Sequence, residues 1–93
     1  MDNKILPLGS VVLLKGGQKR VMVIGFGIIP ESEPNKMFDY CGCIYPEGII
    51  STSQNILFNS TDIEKIFCIG YKDEECAAFL EKVSEVITKR VNQ

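Results

Sequence analysis

Short apolar runs that alternate with glycine-containing turns dominate the first part of the chain. Residues 11–14 and 21–24 are rich in β-branched side chains and lie on either side of a Lys-Gly-Gly-Gln turn. Gly16 and Gly17 tolerate the positive φ that a tight hairpin turn requires, so the pattern predicts an antiparallel β-hairpin. Both faces of these strands are apolar, which is typical of strands covered on both sides. A helix packed on the sheet would supply one of these covers.

The next segments predict a loop followed by a third strand. Residues 29–36 carry two prolines and two glutamates, a composition that favours a loop. Strand-like sequence returns over residues 37–45. The tetrapeptide Tyr45-Pro46-Glu47-Gly48 has proline at its second position and glycine at its fourth, which predicts a type I turn.

The sheet is predicted to continue beyond this turn. One or two strands are expected over residues 49–58. Capping residues at positions 59–62 predict one short helical turn over Ile63 and Glu64. Residues 65–71 (KIFCIGY) then favour a return to the sheet.

The hydrophobic period changes near the carboxyl end. From Cys76 onward, apolar residues recur at steps of three and four, which predicts an amphipathic helix over about residues 73–90. Acidic residues at its start and basic residues at its end complement the helix dipole. The sequence therefore predicts a single α+β domain over residues 1–93. Its fold would be a small twisted antiparallel sheet, or a partly open SH3-like barrel, of about five strands with one C-terminal amphipathic helix.

Composition narrows the possible partners and compartments. The chain has 93 residues and a net charge of −2, which gives no overall attraction to nucleic acid or anionic lipid. No apolar stretch approaches the ~20 residues of a membrane-spanning helix, and the start of the sequence lacks the pattern of a signal peptide. We therefore expect a cytoplasmic protein that does not associate with membranes and whose four cysteines are reduced.

The cysteines are predicted to be packed thiols. On a regular strand Cys41 and Cys43 share one face with β-carbons roughly 6.6 Å apart. That distance exceeds the about 3.5–4.5 Å that a disulfide needs. Neither Cys68 nor Cys76 lies in a C-x-x-C pair, and there is no histidine to complete a zinc site. We expect no metal and no cofactor.

No catalytic constellation is visible. A chain without histidine lacks the commonest general base. Two clusters of carboxylates could take part in catalysis, but each has a simpler explanation. Glu31 and Glu33 lie in the predicted loop and are expected to be solvated, and the acidic residues at 73–75 are expected to cap the helix. The glycine pairs match no nucleotide-binding loop. The protein is therefore predicted not to be an enzyme.

Binding is the remaining class of function. Lys15, Lys19 and Arg20 surround the first hairpin and could contact RNA, although three charges on an acidic domain are more often solvated. Aromatic residues concentrate near the third strand and its turn. They either cover the ends of the core or bind a partner, and the sequence leaves both alternatives open. The aromatic residues concerned are Phe38, Tyr40, Tyr45 and Phe58.

Several stretches taken together resemble a known bacterial family. They are LPLGSVVLLKGGQKRVMVIG, FDYCGCIYPEG, ILFNSTDIEKIFCIGY and DEECAAFLEKV. In order and content they are similar to the family called domain of unknown function 4176. Members of this family are typically encoded beside LXG toxins of the type VIIb secretion system in Gram-positive bacteria. The resemblance implies a cytosolic accessory that binds its cognate toxin before export, and it brings no catalytic motif.

The expected function is therefore that of a chaperone or targeting factor for an LXG toxin. Two alternatives remain: an immunity protein that neutralises the toxin, and a small-barrel RNA-binding protein. From their aromatic or turn character, we predict that four residues contribute to the toxin-facing surface: Tyr40, Tyr45, Glu47 and Phe58.

Overall fold

The computed structural model describes residues 5–51 and 55–91 and contains one antiparallel sheet and one long helix. The spatial order of the strands is β4-β3-β2-β1-β5, and every neighbouring pair is antiparallel. The α+β prediction, a small five-stranded sheet with one C-terminal helix, is confirmed. The elements are β1 (Val11–Leu14), β2 (Val21–Ile28), β3 (Phe38–Ile44), β4 (Ile56–Phe58), a 3₁₀ turn (Ser60–Asp62), β5 (Ile63–Cys68) and α1 (Glu74–Val91).

The predicted hairpin forms the centre of the sheet. Val11 pairs with Met22 and Val12 with Val21, so β1 and β2 are adjacent antiparallel strands. Because side chains alternate between the two faces of a strand, Val12 and Val21 lie on one face and Val11 on the other. The first face carries the hydrophobic core, which contains Val12 and Val21 but not Val11.

Two stacked aromatic rings fill the core beside β3 and β4. Tyr40 and Phe58 lie cross-strand from each other, with ring centroids 5.1 Å apart. Gly42 makes room for them, since a β-carbon there would lie 2.5 Å from Val21 Cγ1 and 3.1 Å from the Phe58 ring. The Tyr40 hydroxyl accepts a hydrogen bond of 2.9 Å from the backbone N–H of Leu6. The aromatic pair therefore connects three separate parts of the chain.

Helix α1 covers part of this core face. Leu80 is its buried contact, and Cys76, Val83 and Ile87 pack around it at helical spacing. Asp73 caps the helix, because its side chain accepts a hydrogen bond of 2.9 Å from the backbone N–H of Cys76. Within the part of the chain that the structure describes, no helix has the length and hydropathy to cross a bilayer.

A buried serine ties the amino-terminal segment to the link between β5 and α1. The Ser10 hydroxyl donates to the Pro7 carbonyl at 2.8 Å and accepts from the backbone N–H of Gly70 at 3.0 Å. The Ser10 carbonyl accepts from Val23 N–H at 2.8 Å, so the same residue also joins β2. At Gly70 the two backbones approach so closely that an added β-carbon would overlap the Leu8 carbonyl oxygen.

Two local predictions need correction. The Tyr45–Pro46 peptide is cis, and the turn is closed by a bond from Gly48 N–H to the Ile44 carbonyl. This turn therefore spans five residues and is not the type I turn expected from Pro46. The helical turn lies at Ser60–Asp62, not at Ile63 and Glu64, because Asp62 and Asn59 form a capping box there. One or two strands were expected over residues 49–58, and the structure has one there, β4 at Ile56–Phe58. Residues 52–54 lie outside the described part of the chain.

Replacing Gly70 by alanine is expected to destabilise the fold by about 3 kcal/mol or more, since the new methyl group meets backbone atoms that cannot rotate away. Gly25→Ala is the matched control, because its β-carbon would make an ordinary 3.6 Å contact with Cys41 Cβ. We expect that control to stay within about 0.5 kcal/mol of the wild type. Urea unfolding followed by circular dichroism measures both values. Equal stability of the two variants would contradict the close approach at Gly70.

Candidate functional site

Two of the four residues predicted to face a partner lie in the core. Tyr40 is 1% exposed and Phe58 is 2% exposed, and each is stacked on the other. Their prediction as contact residues is therefore corrected, because neither ring has surface to present. The sequence left open whether these aromatics cover the core or bind a partner. Tyr40 and Phe58 belong to the core.

Tyr45 and Glu47 lie at the surface, beside the loop that joins β1 and β2. The Tyr45 N–H donates to the Arg20 carbonyl at 2.9 Å, which holds the end of β3 against the start of β2. Lys19 Nζ lies 2.8 Å from Glu47 Oε2. The hydrogen bond from Lys19 lowers the pKa of the Glu47 carboxyl, with a bond from its own backbone as the next cause. The turn is thus held to the neighbouring loop by one backbone bond and one ion pair.

Arg20 lies between two aromatic rings. Its guanidinium carbon is 5.2 Å from the centroid of Tyr45 and 5.5 Å from that of Phe67. Lys65 Nζ is 5.0 Å from the same Phe67 ring. Such cation–π contacts are worth about 0.5–1 kcal/mol each at exposed sites. We call Arg20, Tyr45, Lys65 and Phe67 the aromatic–cation surface.

The cations of this surface carry no counter-ion in the described part of the chain. No carboxylate lies within 4.0 Å of Arg20 or Lys65 there, whereas Lys19 and Lys36 are both paired. Two positive charges therefore contact one aromatic ring without an ion-pair partner of their own, although Glu64 is the chain neighbour of Lys65. This local charge is opposite in sign to the net charge of the chain, which is −2.

Strand β5 is an exposed edge of the sheet. Among residues 5–51 and 55–91 its strand neighbour is β1 alone, so its other side is free. Every residue of β5 after Ile63 is exposed, and so is most of the segment up to α1. Ile66 and Phe67 are 47% and 45% exposed, and Ile69 and Tyr71 are 61% and 81% exposed. The strand also carries Glu64 and Lys65 and pairs with β1 through two register shifts, features that limit uncontrolled pairing at natural sheet edges.

An open cleft lies beside this edge on the core face. Its volume is about 370 Å³, and Leu6, Ile63 and Ile66 are among its lining residues. Tyr40 is also among the lining residues, although only 1% of it is exposed. Helix α1 packs on the core mainly over β2, and no residue of α1 is among those that line the cleft.

The cysteines follow the packing prediction in three of four positions. Cys41 and Cys43 are buried, and Cys76 is half-buried against the core. Burial raises the pKa of the Cys41 thiol, and the neighbouring Cys43 raises it further. Cys68 is exposed, so its prediction as a packed thiol is wrong, since β5 has no cover. The described residues contain no cluster that could hold a metal ion.

The predicted solvated or capping roles of the carboxylates are confirmed where they can be followed. Glu33 is exposed and lies 3.6 Å from Lys36, and Asp73 caps α1. Arg20 and Lys19 do more than solvate a turn, because they contact Tyr45, Phe67 and Glu47.

Sequence reasoning missed Lys65 and Phe67 as surface residues. Both lie in the apolar run KIFCIGY, whose composition predicts a strand and gives no sign that the strand is exposed. The available signal was their spacing, because residues two apart on a strand share a face. That signal gives no indication that Arg20, which is distant in sequence, would contact the same Phe67 ring.

The four thiols should differ in their rates of alkylation. At about pH 8 the raised pKa of Cys41 leaves less of the reactive thiolate, and burial restricts access, so iodoacetamide should modify Cys68 on the order of tenfold faster or more. Raising the pH should increase the Cys41 rate only above the usual thiol range. Peptide mass spectrometry of timed samples measures this, with urea-unfolded protein as the control. Equal rates in the folded protein would contradict the burial of Cys41.

Comparison with known proteins gives one match. No curated protein and no solved structure matches the chain. The family model described as domain of unknown function (DUF4176) matches residues 5–79. That range includes every strand, the aromatic–cation surface and the start of α1. Because the match covers more than half of its 93 residues, the chain belongs to the DUF4176 family.

Proposed function

We propose that this protein is a non-enzymatic, cytoplasmic accessory that binds a cognate LXG toxin and serves as its chaperone or targeting factor in type VIIb secretion. The observation that supports a binding role best is the uncovered apolar edge of β5 beside the aromatic–cation surface. Ile66, Phe67, Ile69 and Tyr71 are exposed along one continuous stretch. Exposed apolar areas of this kind in small domains often mark protein interaction sites.

The composition of this area favours a protein partner. Tyrosine and arginine are enriched among the residues that contribute most to protein–protein binding, and Tyr45 and Arg20 lie in contact here. The aromatic contacts hold Arg20 in place before a partner arrives, which reduces the entropy lost on binding. An apolar centre with charged residues around it is the usual arrangement of such an interface.

The chemistry of the chain gives no support to a reaction. There is no histidine, and the buried thiol with a resolved shift, Cys41, has its pKa raised, which suppresses the nucleophilic thiolate. A role in recognition needs neither group.

The identity of the partner rests on the family and not on the geometry. The segments quoted above resemble that family, and the resemblance implies the company of LXG toxins, beside which its members are typically encoded. A toxin that must be exported needs a partner that recognises it without modifying it. Binding to the LXG region would indicate a targeting role, and binding to the toxic domain would indicate an immunity role.

Co-purification with the two toxin regions expressed separately tests this proposal. We expect the LXG region to be retained and the toxic domain to be lost. Retention of the toxic domain alone would favour the immunity alternative, and retention of neither would contradict toxin binding.

Substitution of the surface aromatics should weaken this binding. The double variant Tyr45→Ala with Phe67→Ala is expected to bind the toxin about tenfold more weakly or worse, which corresponds to about 1.4 kcal/mol. Ile50→Ser is the matched control, because Ile50 is 68% exposed and belongs to neither β5 nor the aromatic–cation surface. Isothermal titration calorimetry measures the affinities, and circular dichroism checks that both variants fold. Unchanged affinity in the folded double variant would exclude this surface.

One observation favours RNA as a second candidate partner. Aromatic rings in cation–π contact with an arginine are also a feature of surfaces that stack single-stranded bases. Such binding weakens steeply with salt. Failure to bind a generic single-stranded RNA at low salt would exclude this candidate.

A further inference from the structure

A second apolar row runs along α1 beside the side chains that pack on the core. Leu80 is the buried contact of the helix, whereas Phe79 and Val86 are 54% and 53% exposed. Phe79 and Val86 are seven residues apart, which is about two helical turns, so they lie in one row along the helix. Neither belongs to the core cluster or to the side chains packed against it. This row is therefore free to contact another molecule.

An open apolar groove of about 240 Å³ lies between this row and the end of β2. Its lining includes Phe26 of β2 and three residues of α1: Phe79, Val83 and Val86. The rings of Phe26 and Phe79 are tilted, with centroids 6.1 Å apart. Since Phe26 packs against the core, the exposed Phe79 ring is held by a fixed neighbour. Grooves with a positioned aromatic residue are typical of places where proteins bind one another.

Charged side chains follow the apolar row. Glu75, Lys82 and Lys89 are each seven residues apart, so they form a second row that adjoins the first. All three are exposed, and Lys82 also lines the groove. Glu85 is exposed at the edge of this row, three residues after Lys82. Along this side of the helix the charges therefore follow the order negative, positive, negative, positive.

This order of charges is complementary to its own reverse. When two copies of α1 run antiparallel, Glu75 of each copy lies opposite Lys89 of the other, and Lys82 lies near Glu85 of the other. The midpoints of both pairings fall between residues 82 and 84. One two-fold axis can therefore serve all four ion pairs, as the isologous interface of a symmetric dimer requires.

We propose that two copies of this protein associate through α1, with the two helices antiparallel about this axis. Phe79 of each copy packs on the groove of the other copy, opposite Val86. The midpoint of this apolar pairing lies between residues 82 and 83, so it shares its axis with the charged pairings. Antiparallel helix dipoles also attract one another. The inference goes beyond the proposed function and does not depend on which protein binds at β5.

The charges select a second copy in this direction. In a parallel pair each charge would lie beside its own equivalent, which is unfavourable. Lys82 lies closest to the axis, and its long apolar stem lets the ammonium group turn away from its equivalent toward Glu85 of the second copy. Glu81, the chain neighbour of Lys82, lies about 100° further round the helix, outside the two rows.

Sedimentation equilibrium tests the association directly. One helix from each copy makes a small interface, so we expect a monomer–dimer equilibrium with a dissociation constant on the order of 10–100 µM. Reductant is included because the exposed Cys68 thiols could otherwise link two copies. A protein that stays monomeric up to about 1 mM would overturn the proposal and leave the groove to a segment of another protein.

Removal of one exposed ring separates this face from the edge at β5. Phe79→Ser should weaken dimerisation at least tenfold. Phe67→Ser removes a ring of similar exposure from β5 and should leave dimerisation within about twofold of the wild type. Circular dichroism checks that both variants fold. A dimer that is lost in Phe67→Ser, or kept in Phe79→Ser, would place the interface elsewhere and overturn the proposal.

Charge exchange tests the direction of the helices. Glu75→Lys should weaken the dimer at least tenfold at low salt, because both symmetry-related pairs with Lys89 become repulsive. Glu74→Lys is the matched control, since it makes the same charge change in the same first turn but about 100° round the helix. We expect this control to stay within about threefold of the wild type.

The double variant Glu75→Lys with Lys89→Glu restores opposite charges across the axis. Its dimer should recover to within about threefold of the wild-type affinity. A double variant that folds, as judged by circular dichroism, but dimerises no better than Glu75→Lys would overturn the antiparallel pairing. Equal loss in Glu75→Lys and Glu74→Lys would indicate a nonspecific charge effect and overturn it as well.

Discussion

The close approach of Gly70 to the amino-terminal segment is the constraint on which the arrangement of the sheet depends. The Ser10 hydroxyl bridges the Pro7 carbonyl and the Gly70 N–H, and the Ser10 backbone accepts from Val23. One buried residue thus joins the chain before β1, the central strand β2 and the link after β5. A buried hydroxyl without hydrogen bonds would lower the stability of the fold. The Ser10 hydroxyl is fully buried and both donates and accepts a hydrogen bond. The junction keeps β5 against β1 although β1 has only four residues.

This junction also determines where the helix can lie. Because β5 ends at Cys68 and α1 begins at Glu74, a short connection brings the helix back over β2, where Leu80 is buried. Its apolar side chains pack on the core cluster that contains Val12, Val21 and Val23. None of the residues that line the cleft at Ile66 belongs to the helix.

The aromatic–cation surface forms where three separated segments meet. Arg20 precedes β2, Tyr45 follows β3, and Phe67 lies in β5. Its charge has the opposite sign to that of the whole chain, so the net charge of −2 gives no indication of it. Recognition by such a surface depends on local charge, since ions separated by more than a Debye length are screened at physiological salt.

The sequence by itself determined the elements, and only the tertiary structure decided which aromatics reach the surface. Hydrophobic period and turn chemistry are local signals. They predicted the first hairpin, a strand over residues 37–45 and a helix over about residues 73–90, which the structure has at Phe38–Ile44 and Glu74–Val91. They also drew attention to Tyr40 and Tyr45 near the third strand and its turn. Alternation cannot say which face is covered, because cover is supplied by residues distant in sequence. Tyr40 is buried because Phe58 stacks on it, whereas Phe67 is exposed because nothing in the described chain packs beyond β5.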